Sequence, residues 1–215
     1  MENREHFYNR HYMSRERLLT YVDQVQAIYR YSEQDDTILE VGKGNGFLAH
    51  LFTDILQQSV VTLDVLPDLQ PDIVADITAE QFDLDRHFEV GVCFEVLEHI
   101  PYELLPRAVE NLRKHIVKYL IISVPDTNFF WQVQCNRLFR KFKPLNITLT
   151  LPRFFRNRRV FGSDHQWEIG IYHSREGKIT AGKLVREVFG SGQVLRHYRG
   201  REFPGHHFFI VKGSA

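Results

Sequence analysis

Cysteine is scarce in this chain: 215 residues hold only Cys93 and Cys135. Two such positions make neither a disulfide framework nor a metal-ligand spacing, so a reducing, intracellular setting is the simplest expectation. An excess of charge of one sign is missing too. The 27 basic residues balance the 27 acidic ones, and the chain as a whole offers no field for a polyanionic partner. No apolar run approaches the ~20 residues that span a bilayer, and the polar N-terminus has no apolar leader segment. These absences predict a soluble, cytoplasmic protein without a transmembrane segment. No internal repeat or low-complexity tract is visible, and the length suits a single domain, residues 1–215, with a substantial core.

Two further absences fall in the most informative stretch, Thr37-Ile38-Leu39-Glu40-Val41-Gly42-Lys43-Gly44-Asn45-Gly46-Phe47-Leu48. A dinucleotide fingerprint needs a third glycine where Phe47 stands, which argues against a nicotinamide-dependent oxidoreductase. A P-loop needs Ser or Thr directly after its Gly-Lys pair, and none is present. What is present is a short apolar strand, glycines at alternate positions, and then an apolar pattern of helical period through Leu48, Leu51, Phe52 and Ile55. Glycines let the backbone turn sharply and let a ligand come close, while the free N–H groups of the first helical turn face it.

Downstream, β-rich runs alternate with helical patterns. Residues 60–65 end in Asp64-Val65, and residues 72–77 end in Asp76-Ile77. Residues 88–94 end in Cys93-Phe94 and lead into Glu95-Val96-Leu97-Glu98-His99-Ile100-Pro101. Pro101 opens a helix through Leu104, Leu105, Ala108, Val109 and Leu112, and residues 118–124 form a fifth buried strand. Such alternation predicts an α/β fold: a parallel sheet with helices on both faces, and its ligand at the carboxyl ends of the strands. Asp64, at the end of the second strand, suits the hydroxyls of an adenosine ribose. Residues 179–189 read as a helix, and residues 194–198 and 207–211 as two last strands.

The series from Glu40-x-Gly42-x-Gly44-x-Gly46 through Asp64, Asp76 and Glu95-Val96-Leu97-Glu98-His99 resembles class I S-adenosylmethionine (SAM)-dependent methyltransferases of the small-molecule, type 11-like group. The resemblance covers residues 35–125 and the C-terminal end. It implies a Rossmann-like sheet of seven strands, one of them antiparallel, with SAM as cofactor and S-adenosylhomocysteine as product. Glu40 and the glycine backbone would hold the methionine part of SAM. Asp64 would meet the ribose and Asp76 the adenine amino group with Ile77 beside the ring, and Val65, Cys93 and Phe94 would also be cofactor-binding.

Outside that region two segments stand apart. Residues 1–36 read as an amphipathic helical arm with Leu18, Val22, Val25 and Tyr29 on its packed face. It serves either as packing or as a lid in which Tyr8, His11 or Tyr12 covers the cofactor. Residues 126–178 form an insert, a cap after the fifth strand. Between residues 127 and 163 it has no Asp or Glu but eight basic residues: Arg137, Arg140, Lys141, Lys143, Arg153, Arg156, Arg158 and Arg159. Aromatics, among them Phe129, Phe130, Trp131, Phe139, Phe142, Phe154, Phe155 and Phe161, interleave with them. Such a segment is either a structural cap or a contact for an anionic surface or acceptor.

For the chemistry, His99 and His165 are the candidate bases, since an unperturbed imidazole titrates near neutrality. Glu95, Glu98, His99 and His165 together are also similar to the metal-binding pattern of small-RNA 3′-terminal 2′-O-methyltransferases, in which two glutamates and two histidines bind magnesium. Trp167 and Ile169 depart from that family's later segment. The Asn/Asp-Pro-Pro-Tyr segment of DNA-base amino methylases is absent. The expected reaction is therefore transfer to an oxygen of a small-molecule, lipid-linked or glycan acceptor. The alternatives are a metal-assisted RNA 2′-O-methyltransferase, in which those four residues would hold a divalent ion, and a SAM-binding module without catalysis.

Overall fold

Ile38–Val41 is buried along its whole length, as a short apolar strand is when helices cover both faces of its sheet. In the computed structural model of the chain, residues 12–135, 145–152 and 164–215 are described. In chain order the elements are α1 (Arg15–Tyr31), β1 (Ile38–Val41), α2 (Phe47–His50), β2 (Val60–Asp64), β3 (Ile73–Val74), β4 (Phe88–Phe94), α3 (Leu105–Arg113), β5 (Ile116–Pro125), β6 (Phe129–Cys135), β7 (Leu145–Leu151), β8 (Tyr172–His173), β9 (Gly177–Lys178), α4 (Ala181–Leu184), β10 (Val194–Arg199) and β11 (His206–Lys212). A π-helical turn prolongs α2 to Ile55 and another prolongs α4 to Phe189.

Seven strands make one sheet in the order β10-β11-β5-β4-β1-β2-β3. The pairings β2–β3, β1–β2, β1–β4 and β4–β5 are parallel, and β11 alone runs against its neighbours β5 and β10. This is the expected architecture. Period-two side-chain alternation divides the core between the two faces. Ile38, Val90, Val92, Ile121, Phe208 and Ile210 pack with Ile28, Leu48 and Phe52 of the α1 and α2 side. Leu39, Val41, Cys93, Leu120, Ile122, Phe209 and Val211 pack with Leu105, Ala108, Leu112, Leu184 and Phe189 of the α3 and α4 side. Among the described residues no helix is long and apolar enough to cross a membrane.

Three local expectations are corrected. The run 72–77 is strand only at Ile73–Val74, where one end is held by side-chain bonds to Thr62 of β2 and the other by a local turn. Asp72 accepts from the N–H and hydroxyl of Thr62 at 2.8 and 2.7 Å, and Asp76 accepts from the N–H and hydroxyl of Thr78 at 2.8 and 2.7 Å. Pro101 opens a single 3-10 turn, Tyr102–Leu104, and α3 begins after it with Pro106 in its own first turn. The third correction concerns α1, which Ser14 caps. Leu18, Val22 and Tyr29 are 46%, 41% and 54% exposed, whereas Thr20, Tyr21, Asp23, Gln24, Ala27 and Ile28 are buried. The helix turns a largely polar stripe inward because that stripe lies on polar groups. Asp23, for example, accepts the backbone N–H groups of Arg201, Glu202 and Phe203 at 2.8–3.0 Å.

Candidate functional site

The turn after β1 takes its shape from three glycines with φ of +83° (Gly42), +54° (Gly44) and +72° (Gly46). That region is costly for any residue with a Cβ. A Cβ at Gly42 would also lie 2.3 Å from Cγ2 of Val96. Asn45, between the last two glycines, accepts the Phe47 N–H at 3.1 Å and the Tyr21 hydroxyl at 3.2 Å, which ties arm α1 to the turn.

Glu40 is buried just before this turn, and its Oε2 has no hydrogen-bond partner. Burial pushes its carboxyl up to about 8, against the opposing pull of Lys43. An orphaned buried carboxylate oxygen beside turned glycine backbone fits the ammonium end of an amino acid. Asp64, at the end of β2, is buried and spends Oδ1 on the Leu66 N–H at 2.9 Å. Its other oxygen has no hydrogen-bond partner among the described residues, as a diol-binding carboxylate requires. Val65 beside it is exposed, Asp76 is exposed within its turn, and the Ile77 side chain lies in the core beneath, where Asn111 holds the Ile77 carbonyl at 2.9 Å. Cys93 is wholly buried in β4, and burial drives its thiol far above its usual range. Phe94 meets Phe208 edge-on at 6.0 Å.

Glu95 begins the opposite edge in a left-handed conformation, φ +57°, with its N–H on the Ser123 carbonyl at 3.0 Å. Such a backbone persists only when its surroundings hold it. Here the carboxylate is gripped by the Arg17 guanidinium, by Gln24 Nε2 at 3.0 Å and by His206 Nε2 at 3.5 Å. Burial would raise this carboxyl, but His206 and Arg17 overcome it and hold it down at about 2. His206 in turn meets the Thr20 hydroxyl at 3.3 Å. Arg17, Thr20, Tyr21, Gln24 and His206 were not among the expected site residues.

The remaining three candidates come together. The short segment containing His165 is clamped to the turn after β4: Gln166 donates to the Glu98 and His99 carbonyls at 2.8 and 2.7 Å. Trp167, 1% exposed, donates to those of Leu97 and Ile100 at 3.1 and 3.0 Å. The ligand atoms of Glu98, His99 and His165 lie within 4.8 Å of one another. Glu98 is fully buried with both carboxylate oxygens unpartnered. Burial, and next the charge of Glu95, raise its carboxyl well above the usual range. His165 Nδ1 is 2.6 Å from Oε1 of the buried Glu168, and the exposed His99 pairs through Nδ1 with Asp164 Oδ2 at 3.1 Å. The expected group of four is thus divided, with Glu95 given to the arm and Glu98, His99 and His165 grouped.

Two clefts of about 260 and 240 Å³ are lined around Trp167 and Tyr172 and around Lys43 and Thr62, respectively. Neither is lined by Asp64, Phe94 or Glu95, the last of which lies under α1. Tyr12 lies against Arg17, whose guanidinium is 4.7 Å from its ring centre. Tyr8 and His11, and all eight basic residues of the insert, fall outside the described residues.

The model of a family described as a methyltransferase domain matches residues 9–163 of the chain. None of the curated proteins matches it in sequence. Among solved structures, the glycopeptide N-methyltransferase MtfA complexed with SAM is 14% identical, with a TM-score of 0.57 over 91% of this chain and 94% of that one. DesVI of Streptomyces venezuelae is 13% identical, with a TM-score of 0.57 over the whole of both chains. The sugar N-methyltransferase KedS8 from Streptoalloteichus is 13% identical, with a TM-score of 0.54 over 98% of this chain and 93% of that one. At such identities the likeness is one of fold.

Proposed function

This chain belongs to the methyltransferase-domain family and is a class I SAM-dependent methyltransferase; from that premise we propose that it methylates an oxygen of a small-molecule, lipid-linked or glycan acceptor. The observation that carries this reading is the His165–Glu168 pair. With Nδ1 held at 2.6 Å by a buried carboxylate, His165 keeps its proton on Nδ1 and presents Nε2 as a base. A hydroxyl needs such a base, because its proton must leave as the oxygen attacks. SAM supplies an activated methyl group on a sulfonium. The chain aligns and shields the reactants: Glu40 and the Gly42–Gly46 backbone hold the amino-acid end, Asp64 the ribose, Asp76 and Ile77 the adenine end, with Val65, Cys93 and Phe94 along the strand ends. Glu95 holds arm α1 over this edge, and His99 with Asp164 borders the acceptor side.

A second reading is favoured by one observation, the two unpartnered oxygens of buried Glu98 beside His99 and His165. These three would hold a divalent cation, which would neutralise Glu98 and bind the hydroxyl, as the RNA 2′-O-methyltransferase alternative requires. Glu95, engaged by Arg17, Gln24 and His206, would stay outside the ligand set.

A methyl-transfer screen with labelled SAM tests both. Acceptors are hydroxylated lipids, quinone precursors, glycans, short RNAs and the matching amines, each with and without chelator. Transfer to hydroxyls unaffected by chelator is expected, with His165→Ala lowering kcat by about 10²–10⁴-fold. Transfer to amines alone overturns the oxygen reading. Loss of turnover with chelator, restored by magnesium or manganese, establishes the second. SAM binding without turnover on any acceptor leaves the non-catalytic module.

A further inference from the structure

Strands β6 and β7 pair antiparallel outside the main sheet, with Trp131 opposite Leu149 and Val133 opposite Ile147. Alternate residues point to opposite sides of such a ribbon. The inner side faces the body of the protein: Phe130 meets Phe203 edge-on at 6.1 Å, and Gln132 donates to the Arg201 carbonyl. On the outer side Trp131 is 75% exposed, and Val133, Ile147, Leu149 and Leu151 are also exposed. An isolated two-stranded hairpin is marginal in water, and a contiguous outward apolar face adds nothing to it unless something covers that face.

We propose that this face docks on an anionic phospholipid membrane, lying in the headgroup–acyl boundary. Charge selects the occupant. The connection between the two strands, residues 136–144, holds four basic residues, and residues 153–163 after β7 hold four more, with no acidic residue from 127 to 163. Basic stretches that adjoin the two strands in sequence, next to an apolar face with an exposed tryptophan, match acidic headgroups above acyl chains. A second copy of this segment would add eight more cations and no acidic residue to meet them. RNA would satisfy the charge but not Val133, Ile147, Leu149 and Leu151. Among the described residues the ribbon has no third strand, and backbone groups outside a ladder do not enter hydrocarbon, which keeps it shallow. The inference is independent of the methyl acceptor.

The chain has two tryptophans, and Trp167 is 1% exposed, so Trp131 reports on the face directly. Emission is followed as the full chain is titrated with phosphatidylcholine vesicles, with and without phosphatidylglycerol, at low and high salt. Expected are a blue shift and quenching by brominated acyl chains on the anionic vesicles only. Expected also is a fall in affinity of more than about tenfold for Trp131→Ser/Leu149→Ser, read by co-sedimentation with SAM affinity unchanged. Vesicle binding that leaves Trp131 water-exposed overturns the proposal, since the cations alone then make the contact. So does a shift produced by short RNA. Trp131 already shielded without lipid overturns it as well, a second copy being the cover if sedimentation depends on concentration and the chain's own segments if it does not.

Discussion

Between Glu40 and Asp64 one edge of the site takes its shape from backbone within a single strand-turn-helix-strand unit, whereas the edge around Glu95 is assembled from side chains spread from Arg17 to His206. On the first edge three left-handed glycines and two strand ends set the shape, and one oxygen of each of Glu40 and Asp64 has no partner among the described residues. On the second edge Glu95 is engaged by Arg17, Gln24 and His206, and His206 also by Thr20. Under the proposed function the first edge binds the cofactor and the second keeps α1 in place. Substitutions should separate the two, with stability falling on one side and SAM affinity on the other.

The largest effect is expected at Glu95. Glu95→Ala leaves the Arg17 guanidinium and His206 facing a gap, and loss of one partner from a largely buried ion pair costs about 3 kcal/mol. Urea unfolding should show that loss near neutral pH. The group titrates at about 2 when folded, below its usual 4.5, so its contribution is complete above about pH 4.5 and disappears as pH falls towards 2. The wild type and Glu95→Ala should therefore converge in acid. Equal stability at pH 7 would mean that the arm is not held by this carboxylate.

Asp64→Ala comes next and reads on the other quantity. It should weaken SAM binding by about 1.5–3 kcal/mol in calorimetry, the range for hydrogen bonds to a charged group, while unfolding registers only the lost Leu66 N–H bond, about 1 kcal/mol. If stability falls as far as it does in Glu95→Ala, the contrast between the two edges fails.

A smaller effect comes from the proton on Glu40. Its carboxyl titrates at about 8 when folded, so the neutral form prevails in the ligand-free protein at pH 7. Its stabilising effect is complete below about pH 4.5 and is lost as pH rises through 8. A ligand ammonium favours the charged form, so SAM affinity should rise from pH 6 to 8, by at most about tenfold per unit. Proton release on binding, measured in buffers of different ionisation enthalpy, checks this, and Glu40→Gln should abolish it.

The same contrast explains what the sequence disclosed. Glu40, the glycines and Asp64 stood out because glycine turns and strand ends are local properties with local signals, as did the alternation that predicted a parallel sheet covered on both faces; the order of the strands did not. Glu98, His99 and His165 were legible by residue type, but their separation from Glu95 was not, since it depends on Arg17 and His206. The register of α1 was misread for a related reason. Arg17, Thr20, Tyr21, Gln24, Ala27 and Ile28 recur at helical spacing as faithfully as Leu18, Val22, Val25 and Tyr29 do. A search for apolar period alone passes over a helix whose buried stripe begins polar because it lies on a charged site. Sequence also showed the basic and aromatic composition of the insert without the hairpin that turns Trp131, Val133 and Leu149 outward.

The smallest effect is the sharpest test of that register. If α1 packed through Leu18 and Val22, replacing both with Gln would strip two side chains from the core and cost several kcal/mol. In the observed register these residues are 46% and 41% exposed, while Ile28 is 1% exposed. Leu18→Gln/Val22→Gln should therefore change stability by no more than about 0.5 kcal/mol, and Ile28→Ala should cost about 2–4 kcal/mol. Glutamine is a good helix former, so the double substitution leaves helix propensity nearly unchanged and isolates burial. The polar stripe would keep its grip on Glu95 and Asn45, leaving SAM affinity unaltered. A large loss in the double variant with a small one in Ile28→Ala would rotate α1 to its apolar face, detach Arg17 and Gln24 from Glu95, and reopen that carboxylate to a place beside Glu98 and the two histidines.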